Sequence, residues 1–403
     1  MNWPHVKVDA IKAENKYSLV GGPFGSNLGI RDYISSGVPV IRGANLSQGQ
    51  KFSMDDFVFV SDENADQLIQ NTAYPGDVVF TQRGTLGQVG LIPKNSPYNR
   101  FVISQSQMKL TVNEQLADAF YVYYVFCSIE YQRLIKNRSI TSGVPHINLG
   151  ILKKIEIPLP PLFIQQKIAS ILSAYDDLID NNRRRIQLLE HAARLLYKEW
   201  FVAFRFPDHG HVAIVDGLPE GWEKKRLIDV AELVMGQSPE SEYYNESGEG
   251  LPFHQGVTNF GDRFVEHKIY CTVKNRLAEP GDILCSVRAP VGRLNITLDR
   301  IVIGRGLSAI RSKSGHPSFL YYKLKSHFFK EDMIGAGAIF AAVTKKDMEN
   351  QELLCPPISL IEQFEEITKP IDKQLKTLHI QNQKLKQARD LLLPRLMNGE
   401  LAV

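Results

Sequence analysis

Two stretches of the chain return to an apolar side chain every three or four residues and keep that step for most of their length. In the first, Ile168, Ile171, Tyr175, Ile179, Ile186, Leu189, Ala193, Leu196 and Trp200 hold the series, with Asn182 inside it. In the second, Phe364, Ile367, Ile371, Leu375, Leu378, Leu385, Leu392 and Leu396 do so, with Asn382 and Arg389 in the series. Such spacing is one narrow apolar stripe on a long helix, ~54 Å at ~1.5 Å per residue over positions 165–200. A stripe of this kind needs a partner to cover it, and each is the obvious partner for the other, which predicts an antiparallel coiled coil. There Asn182 and Asn382 come within hydrogen-bonding reach, and a buried asparagine pair fixes register at some cost in stability. The alternative is that each asparagine reaches solvent beside the seam. Pro370 is expected to kink the second helix or mark its first turn, and Pro394 to end or bend its far end.

The rhythm ahead of each helix is different. Val38 to Ile41, Asp77 to Phe80, Phe101 to Ile103, Asp282 to Cys285 and Ile301 to Ile303 are short β-branched or aromatic runs bounded by Gly, Pro, Asn or Ser. They predict strands among large irregular loops. Ile155 to Leu159 and Glu352 to Leu354 look like strands too, each closed by a proline pair. Ala117 to Ile135 and Ser318 to Met333 are aromatic-rich helical stretches at matching places. The predicted class is α+β, with two tandem mixed α/β domains and two long helices. Residues 1–160 form the first globule, 161–205 the first long helix, 206–357 a linker and the second globule, and 358–403 the second long helix.

This order of elements repeats because the chain is duplicated. Tyr74-Pro75-Gly76-Asp77-Val78-Val79-Phe80-Thr81-Gln82-Arg83 matches Glu279-Pro280-Gly281-Asp282-Ile283-Leu284-Cys285-Ser286-Val287-Arg288 at an offset of 205. Val38-Pro39 through Gly43 resembles Leu251-Pro252 through Gly256 at 213, and Pro160-Pro161 pairs with Pro356-Pro357 at 196. Matches that keep their order while the offset drifts describe two copies of one ~200-residue unit with different loop insertions.

Composition narrows the function. The 403 residues carry a formal charge of +3, too small for a nucleic-acid coat, and 43% apolar side chains, too many for a disordered chain. No apolar run approaches the ~18 residues of a membrane span, and the start lacks a signal-peptide pattern, so a cytoplasmic location is expected. Cys127, Cys271, Cys285 and Cys355 show no paired spacing and read as thiols in a reducing compartment. There is no phosphate loop, and no His/Cys cluster for a catalytic metal. Gly304-Arg305-Gly306 and Gly335-Ala336-Gly337 read as turns. Pro207-Asp208 followed by Glu223-Lys224-Lys225 formally matches a nuclease pattern, but the glycine- and proline-rich interval reads better as a linker.

Charge is uneven along the chain. Phe80 to Leu110 holds four cations (Arg83, Lys94, Arg100, Lys109) and no acid, and Lys274 to Lys313 holds eight cations against three acids. Both windows coincide with repeated segments. Gln82, Gln88, Gln105 and Gln107 interleave with the first, and Arg and Gln are side chains that match guanine and adenine edges. Ordinary solvated loop charge is the competing reading.

With these pieces in place the chain resembles the specificity subunit of a type I restriction-modification system. The resemblance rests on the duplication, on Ile155-Glu156-Ile157-Pro158-Leu159-Pro160-Pro161-Leu162 with Gln165-Gln166-Lys167-Ile168, and on Trp200-Phe201 with Phe204-Arg205-Phe206-Pro207. Leu218-Pro219-Glu220-Gly221-Trp222 and Leu391-Leu392-Leu393-Pro394-Arg395-Leu396-Met397-Asn398-Gly399-Glu400 complete it. It implies two target-recognition domains, each gripping half of a bipartite double-stranded DNA site, with the helices as a spacer. It also implies a non-catalytic chain that binds no cofactor itself. Two methyltransferase subunits would use S-adenosylmethionine, and restriction subunits would use ATP and Mg. By position, Gln82, Arg83, Thr85 and Arg100 in the first domain and Arg288, Arg293 and Arg305 in the second are candidates for DNA contact, with Arg42 and Gln255 in matched segments. Gly76, Gly84, Gly87, Gly281 and Gly292 read as turn-formers. The rival readings are a scaffold that never reads DNA and a stand-alone nuclease.

Overall fold

A computed structural model describes residues 3–46, 50–141, 143–328 and 343–403. The Gly335-Ala336-Gly337 turn and the end of the stretch from Ser318 to Met333 lie outside the described residues. Two compact units emerge, Met1–Arg183 with Ile380–Val403, and Arg184–His379. Each long helix is divided between the two units.

The first unit begins with β1 (His5–Lys7), β2 (Leu19–Gly21), β3 (Val38–Ile41), β4 (Val58–Val60), α1 (Asp62–Gln67) and β5 (Thr72–Ala73). It continues through β6 (Val78–Thr81), β7 (Val89–Leu91), β8 (Phe101–Ile103) and β9 (Gln107–Leu110) to α2 (Ala119–Cys127), α3 (Ile129–Asn137) and α4 (Leu149–Lys153). Then β10 (Glu156–Pro158) leads into α5 (Leu162–Phe201). One sheet has the order β2-β9-β6-β7 and is antiparallel throughout; the other runs β4-β3-β8-β5, with β3 and β8 parallel. β1 pairs with β10 beside them.

In the second unit, the hairpin β11 (Ile214–Val215) and β12 (Leu218–Pro219) precedes β13 (Glu223–Arg226), α6 (Leu227–Val230) and β14 (Ala231–Met235). Next come β15 (Tyr244–Asn245), β16 (Leu251–His254), β17 (Tyr270–Cys271), β18 (Leu277–Ala278), β19 (Ile283–Ser286) and β20 (Leu294–Ile296). The unit ends with β21 (Ile301–Ile303), β22 (Leu307–Ser312), α7 (Pro317–Phe328), α8 (Lys345–Glu349), β23 (Glu352–Cys355) and α9 (Ile358–Met397). Its sheets, β14-β22-β19-β20 and β15-β17-β16-β21-β18, repeat the first pair with one extra edge strand, and β16 and β21 are again parallel.

The repeated Pro-Gly-Asp is a turn with a built-in cap. Gly76 and Gly281 sit at φ +95° and +94°, where a side chain is strained. The following aspartate accepts the N–H three residues back, Tyr74 to Asp77 at 2.9 Å and Glu279 to Asp282 at 2.8 Å. A second signature is a close approach. A Cβ on Gly22 would stand 2.0 Å from the Ser104 carbonyl oxygen, and one on Gly236 2.1 Å from that of Gly304. The stretch from Ala117 to Ile135 forms two helices because Ser128 ends α2 and caps α3 through Tyr131 N–H at 3.4 Å. Tyr121, Tyr124 and Phe126 of α2 are fully buried against the first sheet's Phe80 and Met108.

Within the first unit, the start of α5 and the end of α9 run in opposite directions. Asn182 Nδ2 donates to Asn382 Oδ1 at 3.0 Å, and Arg389 meets Asp176 at 2.5 Å. Both asparagines are buried, so neither reaches solvent beside the seam. In the second unit, Trp200 of α5 packs on Phe364 of α9 with centroids 6.0 Å apart. α9 starts twelve residues before Pro370, which therefore does not mark its first turn, and it ends at Met397, three residues past Pro394. A proline removes one i→i−4 bond, a loss that helix packing on a buried face outweighs here. Replacing Asn182 and Asn382 together by leucine removes both polar partners, so stability is expected to hold or rise. If the pair sets register, light scattering will show mixed association states, and a single unchanged species removes that role.

Candidate nucleic-acid interface

Parallel pairing of β16 with β21 brings their carboxyl ends out of the sheet side by side. Gly304 N donates to His254 O at 2.8 Å, Gly306 N to Gln255 O at 3.1 Å, and Val287 N to Gly306 O at 2.9 Å. Three loop segments are thereby laced edge to edge. The glycines permit this closeness, since a Cβ on Gly306 would stand 2.5 Å from the Gln255 carbonyl oxygen. The lacing leaves a shallow hollow of about 190 Å³ lined by Gln255, Ser286, Arg288 and Arg305.

Three sequence candidates thus meet in one place. Arg288 and Arg305 are exposed, and among the described residues neither guanidinium is hydrogen-bonded or ion-paired. Ser238, which sequence reading missed for want of any motif, organises them. Its hydroxyl donates to Gln255 Oε1 at 3.0 Å and accepts from Arg305 N at 3.1 Å. His254, the residue before Gln255, is buried and bonded to His267 at 2.9 Å. Burial and then the neighbouring His267 hold its imidazole down to about 4, so it is neutral at pH 7 and the hollow's charge comes from the arginines. Arg293 lies outside the hollow's lining, at the base of the β19–β20 loop, where its N–H donates to Ser286 Oγ at 2.9 Å.

The first unit repeats the lacing with other side chains. Ser104 N donates to Ile41 O at 3.0 Å and Gln82 N to Ser106 O at 2.7 Å. Arg42, Arg83 and Gln105 therefore stand where Gln255, Arg288 and Arg305 stand in the second unit. Arg83 is exposed and its guanidinium has no partner among the described residues, as with Arg288. Thr85 is exposed two residues on. Gln82 is half-buried, its Oε1 lying 3.2 Å from where a Cβ on Gly21 would be. Arg42 instead turns back into its own loop, donating to the Asp56 carbonyl. Gln105 donates to the carbonyls of Gly25 and Leu28. Arg138, on the loop that returns to pair His146 with Arg83, is an exposed cation that the window count missed.

Several cations counted from sequence are paired with acids of their own unit. Arg100 binds Asp62 at 2.7 Å and Asp66 at 2.5 Å, and these hydrogen bonds, Asp66's first, raise its pKa. It ties the approach to β8 to α1. Lys109 is buried against Asp77 at 3.1 Å, Arg311 pairs with Asp282 at 2.7 Å, and Arg300 with Glu279 at 2.9 Å. Gly76, Gly84, Gly87, Gly281 and Gly292 all take positive φ, as turn-formers do. Asp208 of the nuclease-like pattern occupies a left-handed turn and not a strand, while Glu223 starts β13 and pairs with Lys225 at 3.1 Å. Among the described residues, no helix is long and apolar enough to cross a membrane.

Residues 33–191 and 219–388 each match the family described as the type I restriction modification DNA specificity domain. The chain is 29% identical over 376 residues to a protein of Methanocaldococcus jannaschii that carries the name of the MjaX type I restriction enzyme specificity subunit, covering 91% of this chain and 88% of the relative. The HindI specificity subunit of Haemophilus influenzae is 22% identical over 407 residues, covering 81% and 86%. In fold, the type I restriction-modification S subunit from M. genitalium superposes with a TM-score of 0.60 over 98% of this chain and 96% of that one, at 18% identity.

Proposed function

Because the chain belongs to the type I restriction modification DNA specificity family, we propose that each of its units reads one half of a bipartite duplex target. The observation that carries this reading is the repeated lacing of three loops, which in both copies presents an arginine (Arg83, Arg288) with no partner among the described residues. Such a group contacts phosphate as a point of charge, or a guanine edge through two parallel hydrogen bonds. In the second unit Arg305 and Gln255 add a second guanidinium and an amide within the same hollow. Gln82 and Thr85 flank Arg83, Arg293 flanks Arg288, and Arg42 supports its loop.

The chain itself is non-catalytic on this reading. The shared helices α5 and α9 set the gap between half-sites and dock two methyltransferase subunits that use S-adenosylmethionine. Restriction subunits that consume ATP with Mg join that complex, and the Asn182–Asn382 pair keeps the helices in register. A gel shift on random-sequence duplexes and on host DNA, with and without the methyltransferase partners, tests the reading. Binding is expected to be sequence-selective and to weaken steeply with salt. Equal binding to every duplex, or none, would leave only the scaffold reading.

A further inference from the structure

The two units are copies, so each shows what the other's open space is shaped to hold. The first unit contains a cavity of about 500 Å³ whose walls include Trp3, Tyr131, Leu393, Pro394 and Met397. That is the size of a ligand site. The equivalent place in the second unit can be found from the strand pairs. His5 opposes Pro158 and Glu223 opposes Cys355, which puts Trp3 just before β1 where Trp222 stands just before β13. Along the helices, the offset of 196 makes Leu393 and Met397 the counterparts of Tyr197 and Phe201.

In the second unit that place is full of rings. Trp222 is buried against Phe201 at 6.0 Å, Phe204 at 5.0 Å and Phe206 at 6.1 Å between centroids. Tyr197 fills the adjoining space against Phe319 and Tyr322. The rings come from the end of α5 and from the segment Phe204-Arg205-Phe206 that follows it. In the first unit α9 ends in Met397 and is followed by Asn398-Gly399-Glu400-Leu401, with no ring among them. Trp3 is consequently only half-buried, and its indole N–H is buried without a partner among the described residues.

We propose that this cavity docks an extended segment of a partner protein carrying two aromatic side chains two residues apart, the chemistry that Phe204-Arg205-Phe206 supplies internally in the second unit. The aromatic rings would pack on Trp3 and Tyr131, over the ring-free side chains of Leu393 and Met397. An entering backbone brings carbonyls for the orphan indole N–H. Exposed Glu130, also on the cavity wall, suits a cation between the two rings, whereas Asp390 there is already paired with Arg389 at 2.8 Å. The proposal is independent of DNA reading, and its test contains no DNA.

The probe is the octapeptide Val-Ala-Phe-Arg-Phe-Pro-Asp-His, the chain's own residues 202–209, titrated calorimetrically into the full chain labelled at its methionine methyls. One peptide per chain is expected to bind and to shift the Met397 methyl resonance. A peptide with Phe204→Ala and Phe206→Ala is expected to bind at least tenfold more weakly. The full chain with Leu393→Tyr and Met397→Phe, which installs the second unit's residues, is expected to lose binding equally while melting no lower than the parent. Should that variant fail to fold, the alanine peptide on the unaltered chain decides alone. Absence of binding at millimolar peptide overturns the proposal. So does equal affinity for the alanine peptide, binding that leaves Met397 unshifted, or entry of phenol where the peptide does not enter.

Discussion

Arg263→Met is expected to destabilise the second unit by about 3 kcal/mol, the scale of breaking a buried ion pair from one side. The Arg263 side chain is 3% exposed, pairs with Glu190 of α5 and with Asp372 of α9 at 2.6 Å, and donates to Tyr322 Oη at 2.9 Å. Its guanidinium lies 4.4 Å over the Tyr321 ring. Burial opposes its charge, but Tyr322, Glu190 and Asp372 outweigh that and hold its pKa above the ordinary value. Methionine keeps most of the volume and removes the charge, leaving two carboxylates with Lys325 as their only close cation among the described residues, 2.8 Å from Glu190. The cost is then one of stranded anions. Adding Glu190→Gln and Asp372→Asn is therefore expected to restore much of the loss. Lowering the pH through the carboxylate range is expected to shrink the defect, because protonation discharges the same groups. Chemical denaturation followed by hydrogen exchange in residues 184–379 reads both effects. An Arg263→Met chain as stable as the parent would show that the node contributes no net stability.

Arg288→Ala with Arg305→Ala is expected to cost DNA affinity and almost no stability. Neither guanidinium has a partner among the described residues, so its removal strands nothing in the fold. Removing one arginine–phosphate pair lowers the log–log salt slope by about 0.9, so two give a slope smaller by about 2 and an affinity loss of tenfold or more at low salt. A base-reading arginine behaves differently, leaving the slope nearly unchanged and costing about 1–3 kcal/mol at one position of the site. Arg100→Ala is the contrasting control. It releases Asp62 and Asp66, both largely exposed to solvent, at little cost to the fold, and DNA affinity is expected to stay within about threefold. Filter binding from low to moderate salt, with melting measured in parallel, distinguishes these outcomes. Equal DNA affinity of parent and double variant would remove the hollow from the interface.

Much of the organisation could be read from residues alone because it rests on local backbone demands. A turn that needs positive φ at Gly76 and Gly281, capped by the next aspartate, repeats as letters in the sequence. So does a helix stripe, and α5 (Leu162–Phe201) and α9 (Ile358–Met397) lie within the spans 161–205 and 358–403 read from it. β9 escaped notice because its residues, Gln107 and Lys109 among them, are all buried, the lysine satisfied by Asp77 and Thr111. Partners distant in sequence were the blind spot for charge too. A window that contains Arg100 and Lys109 looks strongly basic until Asp62, Asp66 and Asp77 fold onto it. The equivalence of Gln105 with Arg305 was hidden by a fourth offset, 200, which the parallel pairings of β3 with β8 and of β16 with β21 supply.

Selection of bound duplexes from a randomised pool measures recognition directly, using the full chain with its methyltransferase partners alongside Arg83→Ala and Arg288→Ala. The unaltered chain should enrich a two-part motif with a fixed gap, Arg83→Ala should degrade one part, and Arg288→Ala the other. A single undivided motif, no motif, or loss of the same part with both substitutions would contradict recognition of one half-site by each unit.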